Sequence, residues 1–422
     1  MKYGLIGKKL GHSFSKEIHA HLADYEYELL ELPDEEAVIA YLATRDFSAI
    51  NVTIPYKETV MPHLDEISPE ALAIGAVNTI VNRDGKLYGY NTDFYGIESS
   101  LSRMGFPSLS GKKALILGTG GTARTAYAVL HAMGADTVYR VSRTPSEEAI
   151  SYADAYRLHA DADVIFNATP VGMYPAITGV PIDLSQFPRL SCVFDAVYNP
   201  LRTTLVSDAL SRGIAAGGGL YMLVAQAFRA VELFLDTSLS PSLLASVYRK
   251  IEEEKENIVL IGMPSAGKST IGRMLAEKTG RLLIDLDEEI VKRAECDIPT
   301  IFRERGERAF RDLESEAAIA ISAMNGVIIA TGGGAILREE NVRHLKQNGR
   351  LCFLDRPLAA LTPTADRPTA SDLDAMRTRY EERLPIYRKS ADLTFPVGED
   401  FSDTAQAILK EFFHAYLCSE RS

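Results

Sequence analysis

Cysteine is scarce in this chain and never clustered. Four residues, Cys192, Cys296, Cys352 and Cys418, are spread over 422 positions with no Cys-x-x-Cys pair, which argues against a disulfide framework or a cysteine-ligated zinc site and favours a reducing compartment. Long apolar runs are missing too. No stretch approaches the ~18 apolar residues that a membrane span needs, and the segment from Met1 to Lys9 turns polar too soon for a signal peptide. The chain is therefore read as cytoplasmic. Positive charge is not in excess either: 45 lysines and arginines stand against 57 aspartates and glutamates, a formal charge of -12. Nucleic acids and anionic membranes are recruited by basic surface, so neither is an expected partner, and any phosphate site has to be local.

What is present is ordinary for globular protein, with 46% apolar and 24% charged residues. At ~150 residues per domain the length allows about three domains, each able to bury a core. Short apolar strands alternate with amphipathic helical stretches, the pattern of parallel sheets covered by helices. Residues 1–95 read as one α/β unit, completed by helices of about 220–250; residues 96–219 read as a Rossmann-type unit. A charged junction at 251–257 leads into a P-loop unit at 258–422 with its own parallel sheet.

The strongest local signal is Gly262-Met263-Pro264-Ser265-Ala266-Gly267-Lys268-Ser269-Thr270, a full G-x-x-x-x-G-K-S loop after the apolar run Ile258–Ile261. Its backbone N–H groups suit the phosphates of a nucleoside triphosphate, with Lys268 on the terminal ones and Ser269 on magnesium. A second glycine loop lies upstream. Gly118-Thr119-Gly120-Gly121 follows the strand-like Lys113–Leu117 and would bring backbone close to a pyrophosphate at a helix start. The next strand-like segment, Val138–Val141, ends in Ser142-Arg143-Thr144, where an acid would suit a ribose hydroxyl and Arg143 instead suits a 2′-phosphate. NADP is the cofactor this predicts, the plainer alternative being a structural turn with a solvated Arg143. Two nucleotide loops point to two enzymes on one chain.

Around each loop lie polar residues in suggestive spacing. Ser13 and Ser15 are two apart and point the same way on extended backbone, as do Asn51 and Thr53, with Lys57 close behind. With Asn78 and Asp93 they make many neutral hydrogen-bonding groups beside one amine and one carboxylate, a set suited to an uncharged polyhydroxylated ring and an acid/base pair. Downstream, Asp285 and Asp287 share one side of a strand end: one serves the metal, the other an acceptor hydroxyl. Arg311 and Glu314 are three apart on one helical face, an exposed ion pair if taken alone. Thr331-Gly332-Gly333-Gly334 permits close approach of a ligand to backbone, and Arg367 and Arg383 add cations.

These segments, with Asn167-Ala168-Thr169-Pro170-Val171-Gly172-Met173, Asp195-Ala196-Val197-Tyr198-Asn199-Pro200 and Gly219-Leu220-Tyr221-Met222-Leu223-Val224-Ala225-Gln226, resemble shikimate dehydrogenase over roughly residues 1–250. The resemblance implies NADPH-dependent reduction of 3-dehydroshikimate, with Lys57 and Asp93 as catalytic pair. It also implies that Ser13, Ser15, Asn51, Thr53, Asn78 and Gln226 hold the ring substituents. Residues from about 257 to 420 resemble shikimate kinase. That resemblance implies ATP and Mg2+ as cofactors, Asp287 near the reacting hydroxyl, and Arg311, Gly333 and Arg383 on shikimate. It further places Asp285 near the metal and makes Arg367 the lid arginine. The partners so implied are the small molecules 3-dehydroshikimate and shikimate. The rival expectation is a dehydrogenase of quinate and shikimate fused to a catalytically weak, kinase-like binding module.

Overall fold

The computed structural model describes residues 2–11, 13–361 and 373–413. The chain divides into two compact units, Met1–Ile251 and Glu252–Ser422, and the division falls inside helix Pro241–Lys255. The charged stretch read as a junction thus remains helical as far as Lys255. Among the described residues, no helix is long and apolar enough to cross a membrane.

The first unit holds two six-stranded sheets. One runs in the order Tyr27–Glu31, Tyr3–Gly7, Ala49–Val52, Thr79–Arg83, Lys86–Tyr90 and Glu66–Ile67. Its first three strands are parallel, but Thr79–Arg83 pairs antiparallel with both neighbours. The alternation of strands and helices predicts parallel pairing, and between Thr79–Arg83 and Lys86–Tyr90 a two-residue turn reverses the chain instead. Asp84 and Gly85 take φ of 52° and 84°, the left-handed geometry that closes a tight hairpin. Helices Ser15–Leu22 and Leu220–Leu235 bury Phe14, Ile18, Leu22, Val224 and Phe228 in one cluster, so the helix at 220 returns to the N-terminal region.

The second sheet is parallel throughout, in the order Ala215–Gly217, Cys192–Asp195, Val164–Asn167, Lys113–Leu117, Thr137–Ser142 and Ile150–Ser151. The strand that feeds the first glycine loop is central. Its neighbour Val164–Asn167 is buried along its whole length and almost wholly apolar, as a strand covered on both faces requires, whereas Thr137–Ser142 on the other side is only partly buried. Strand order reverses beside it, the position where open α/β sheets bind ligands at their carboxyl ends.

The second unit is built on five parallel strands in the order Leu283–Asp285, Ile328–Ala330, Asn257–Ile261, Gly349–Asp355 and Leu393–Pro396. Ile258 to Ile261 are fully buried at its centre, and helix Lys268–Thr279 starts directly after the loop they feed. Helix Ile298–Ser322 is broken at Gly306, whose φ of 78° and ψ of 172° no helical residue adopts. The break separates its first turns from the half that carries Arg311 and Glu314.

Candidate active sites

In the first unit the polar residues meet at the carboxyl end of strand Ala49–Val52. Lys57 Nζ lies 2.5 Å from Asp93 Oδ2, with side chains only 14% and 8% exposed. Asp93 opens helix Asp93–Arg103 and Lys57 sits in the turn after Thr53, so pairing fixes the amine against a helix start. Beside this pair runs a chain of buried hydrogen bonds. Asn78 Oδ1 accepts from the Thr92 backbone N–H at 2.8 Å and from the Thr79 hydroxyl at 3.0 Å. Asn51 Nδ2 donates to Thr79 Oγ1 at 3.0 Å, and Asn51 Oδ1 accepts from the Tyr27 hydroxyl at 2.8 Å. Thr92 Oγ1 reaches Gln226 Oε1 at 3.3 Å. With its carbonyl oxygen so engaged, Asn78 has its amide N–H groups left as donors.

Ser13 and Ser15 form their own pair, Oγ to Oγ at 3.0 Å, at the start of helix Ser15–Leu22. Thr53 follows strand Ala49–Val52, and its backbone N–H donates to Ile6 O at 3.0 Å. One turn behind Ser15, His19 is completely buried, stacks on Tyr27 at 3.8 Å and is joined through Nδ1 to the Tyr25 hydroxyl at 2.7 Å. Burial pulls its pKa down to about 3, so it is neutral. Tyr27 joins this network although the sequence reading did not single it out, whereas Thr79 and Thr92 adjoin the predicted Asn78 and Asp93.

The first glycine loop fits a dinucleotide. Gly118 has φ of 109°, and a Cβ there would stand 3.2 Å from Thr169 Cγ2. A Cβ at Gly120 would meet nothing within 4 Å, and helix Gly121–Ala132 begins with no side-chain cap, so its first N–H groups remain for an anion. Gly121 faces the Lys57–Asp93 pair: its Cβ position is 3.8 Å from Lys57 Cδ. Arg124, one turn into the same helix, bonds Glu58 at 2.7 Å. Beyond the neighbouring strand Thr137–Ser142, Arg143 and Thr144 are exposed, and the Thr144 N–H donates to Ser142 Oγ. Glu148, an acid close to Arg143 in sequence, is paired with Arg140 at 2.9 Å.

Behind the loop sits a buried carboxylate, Asp195. It accepts from Thr203 Oγ1 at 2.7 Å, Asn167 Nδ2 at 2.9 Å and the Val197 N–H at 3.0 Å. Asn167 Oδ1 in turn accepts from Thr169 Oγ1 at 2.7 Å, and Thr169 is the residue packed on Gly118. Burial raises the Asp195 pKa to about 6, against the pull of these donors.

In the second unit the loop lines a cleft of about 190 Å³ with Pro264, Ser265, Gly267, Lys268, Ser269, Thr270, Asp285, Asp287 and Thr331. Gly262 and Gly267 have φ of 152° and 95°, backbone that glycine supplies readily. Lys268 Nζ donates to the carbonyls of Gly262 and Met263, each at 2.8 Å. Ser269 Oγ lies 3.0 Å from Asp285 Oδ2, a hydroxyl and a carboxylate that together suit magnesium, an ion that keeps several of its waters. Asp285 Oδ1 also caps helix Leu286–Ala294 by accepting from the Asp287 N–H.

The residues expected on the acceptor gather at the triple glycine. Arg311 Nη1 bonds Glu314 Oε2 at 2.7 Å, with Glu314 only 1% exposed, so this is a buried pair and not a solvated one. Burial pushes the Glu314 carboxyl above its ordinary range, opposed by Arg311. A side chain at Gly334 would strike the Arg311 guanidinium, and one at Gly332 would strike Asp287 Oδ1. Arg383 Nη1 donates to Gly333 O at 2.9 Å. Thus Asp287, Arg311, Gly333 and Arg383 are brought together beside Lys268, Ser269 and Asp285, whereas Arg367 lies outside the described residues.

Residues 5–80 match the model of the shikimate dehydrogenase substrate binding domain, and residues 264–413 match that of shikimate kinase. A shikimate dehydrogenase (NADP(+)) of Clostridium perfringens is 37% identical over 267 residues, 59% of this chain and 98% of the relative. Among solved structures, a chorismate mutase/shikimate 5-dehydrogenase fusion protein from Clostridium acetobutylicum aligns with a TM-score of 0.56 and 36% identity, over 60% of this chain and 97% of its own. Shikimate 5-dehydrogenase from Thermus thermophilus, in complex with NADP(H) and shikimate, aligns at 0.53 with 32% identity, over 59% of this chain and 99% of its own.

Proposed function

Because this chain belongs to the shikimate dehydrogenase family through its first unit and carries a shikimate kinase domain in its second, we propose that it performs two consecutive reactions on one ring. The first reduces 3-dehydroshikimate to shikimate with NADPH; the second transfers phosphate from ATP to the 3-hydroxyl of shikimate. The observation that carries this reading is the pair of polar sites, one at Lys57–Asp93 beside the first glycine loop, the other at Arg311, Arg383 and Asp287 beside the P-loop.

When bound, NADPH supplies a hydride and ATP with magnesium supplies the phosphoryl group. The chain's own groups do the rest. As the ketone accepts hydride its oxygen gains negative charge, and Lys57 is placed to donate a proton to that oxygen while Asp93 holds the ammonium in line. Asn51, Thr53, Asn78, Gln226 and the two serines fix the ring so that one carbonyl faces Lys57. In the second site, Asp287 accepts the proton of the attacking hydroxyl, and Arg311 and Arg383 clamp the ring carboxylate. Lys268 would turn from loop carbonyls towards phosphate oxygens, and Ser269 and Asp285 would hold the metal. Arg367 is proposed as the lid cation.

Turnover of shikimate and quinate, each with NADP+ and with NAD+, tests the first half. Preference for shikimate and NADP+ is expected; a preference for quinate contradicts it. For the second half, ADP release that depends on added shikimate is expected, and a folded chain that binds shikimate without releasing ADP contradicts it.

A further inference from the structure

Helix Leu373–Ser390 carries Arg383 towards the triple glycine, and four residues on, the same face carries Tyr387. The ring of Tyr387 is fully buried and lies parallel to Phe353, centroids 5.1 Å apart at an angle of 4°. Phe353 belongs to the strand beside Asn257–Ile261, with Ile261 as its register partner. This stack fixes the phenol between two loops. Its hydroxyl is 2.9 Å from the carbonyl of Gly262, the first residue of the P-loop, and 2.6 Å from the carbonyl of Gly333.

Each of those carbonyls also accepts from a donor with a job in the reaction. Gly262 O accepts from Lys268 Nζ at 2.8 Å, and Gly333 O from Arg383 Nη1 at 2.9 Å. The Tyr387 oxygen therefore stands where the loop that holds ATP and the loop that holds the acceptor share a partner. A phenol has a single proton to donate, so the two carbonyls share it and their separation is set by one atom. Phosphoryl transfer is sensitive to that separation, since a displacement of ~1 Å can cost about 10²-fold in rate.

We propose that Tyr387 is a positioning residue for the phosphoryl transfer: its hydroxyl sets the distance between the P-loop and the acceptor loop without touching either substrate. This rests on the reading of the second unit as a kinase whose acceptor is shikimate. The variant Tyr387→Phe keeps the ring and its stack and removes only the shared donor. In the full chain it is expected to lower kcat for shikimate-dependent ADP release about tenfold while KM for ATP and for shikimate stay within about twofold. Dehydrogenase turnover stays unchanged and serves as an internal control.

Calorimetric binding of ATP to the variant reports whether the second unit is folded. An unchanged kcat overturns the proposal, as does a parallel change in both KM values with a lowered unfolding temperature. A variant that no longer binds ATP also overturns it, because the hydroxyl then serves the fold and not the alignment. If the unaltered chain releases no ADP on addition of shikimate, the acceptor reading itself fails and takes the proposal with it.

Discussion

The two phosphate-binding loops of this chain recruit their cations differently. The loop at Gly118–Gly121 offers backbone N–H groups and open space, and the cation near it, Lys57, comes from another strand-and-turn segment and is locked on a carboxylate at 2.5 Å. The loop at Gly262–Thr270 contains its own cation, and Lys268 rests on two neutral carbonyls at 2.8 Å. The difference follows the chemistry. A dinucleotide is held intact, so backbone dipoles suffice for its pyrophosphate, and under the proposed function the charged amine serves the substrate's oxygen. A transferred phosphoryl group needs a positive charge at the loop itself, and Lys268 stands where that loop opens helix Lys268–Thr279.

The largest expected effects come from removing the two amines. Lys57→Ala should lower 3-dehydroshikimate reduction by about 10² to 10⁴ and leave ADP release untouched, and Lys268→Ala should do the reverse. Assaying both activities on each variant is the check. A single substitution that silences both without unfolding would break the picture of two separate cations.

Next in size is Arg311→Ala. It strips the partner from Glu314, which is 1% exposed, and a buried charge left alone costs about 3 kcal/mol or more. Thermal unfolding should show the second unit melting earlier while the first is unmoved. The matching change in the first unit, Arg124→Ala, breaks a pair with Glu58 whose side chains are 34% and 53% exposed, and should cost less than about 1 kcal/mol. Similar costs for the two would contradict the assignment of Glu314 as a buried anchor.

A smaller effect concerns Asp195, whose folded pKa of about 6 stands above its ordinary 3.8. Between those values the folded chain binds a proton that the unfolded chain does not. This group's contribution to folding therefore strengthens as pH falls from about 6 towards 3.8, and is weakest above about 6. Cofactor binding should run the other way. Protonation weakens the hold on Asn167 and Thr169, so KM for NADPH is expected to rise as pH drops through about 6. In Asp195→Asn it should already be raised about fivefold at neutral pH, with no further rise on that limb. A pH series of KM for both chains decides it.

Much of this was legible in the sequence where the signal is local. The strands before each glycine loop, the helix starts after them, and the spacing of Arg311 and Glu314 all follow from apolar runs and helical period. The hairpin at Asp84-Gly85 was also written there, as a two-residue turn between apolar runs, although the alternation of strands and helices obscured it. The polar network was not legible in the same way. Tyr27 and Asn51 are 24 positions apart, and Thr92 and Gln226 are 134 apart, so no periodicity links them. Thr79 and Tyr27 lie on strands where a buried residue reads simply as core. Tyr387 had one usable signal, its place four residues after Arg383 on a single helical face.

Supplying the purified full chain with 3-dehydroshikimate, NADPH, ATP and magnesium tests the central claim most directly. The account predicts shikimate 3-phosphate as the product, with ADP appearing after NADPH is consumed and only in its presence. Shikimate that accumulates without ADP release, or ADP release that ignores the presence of shikimate, would contradict it.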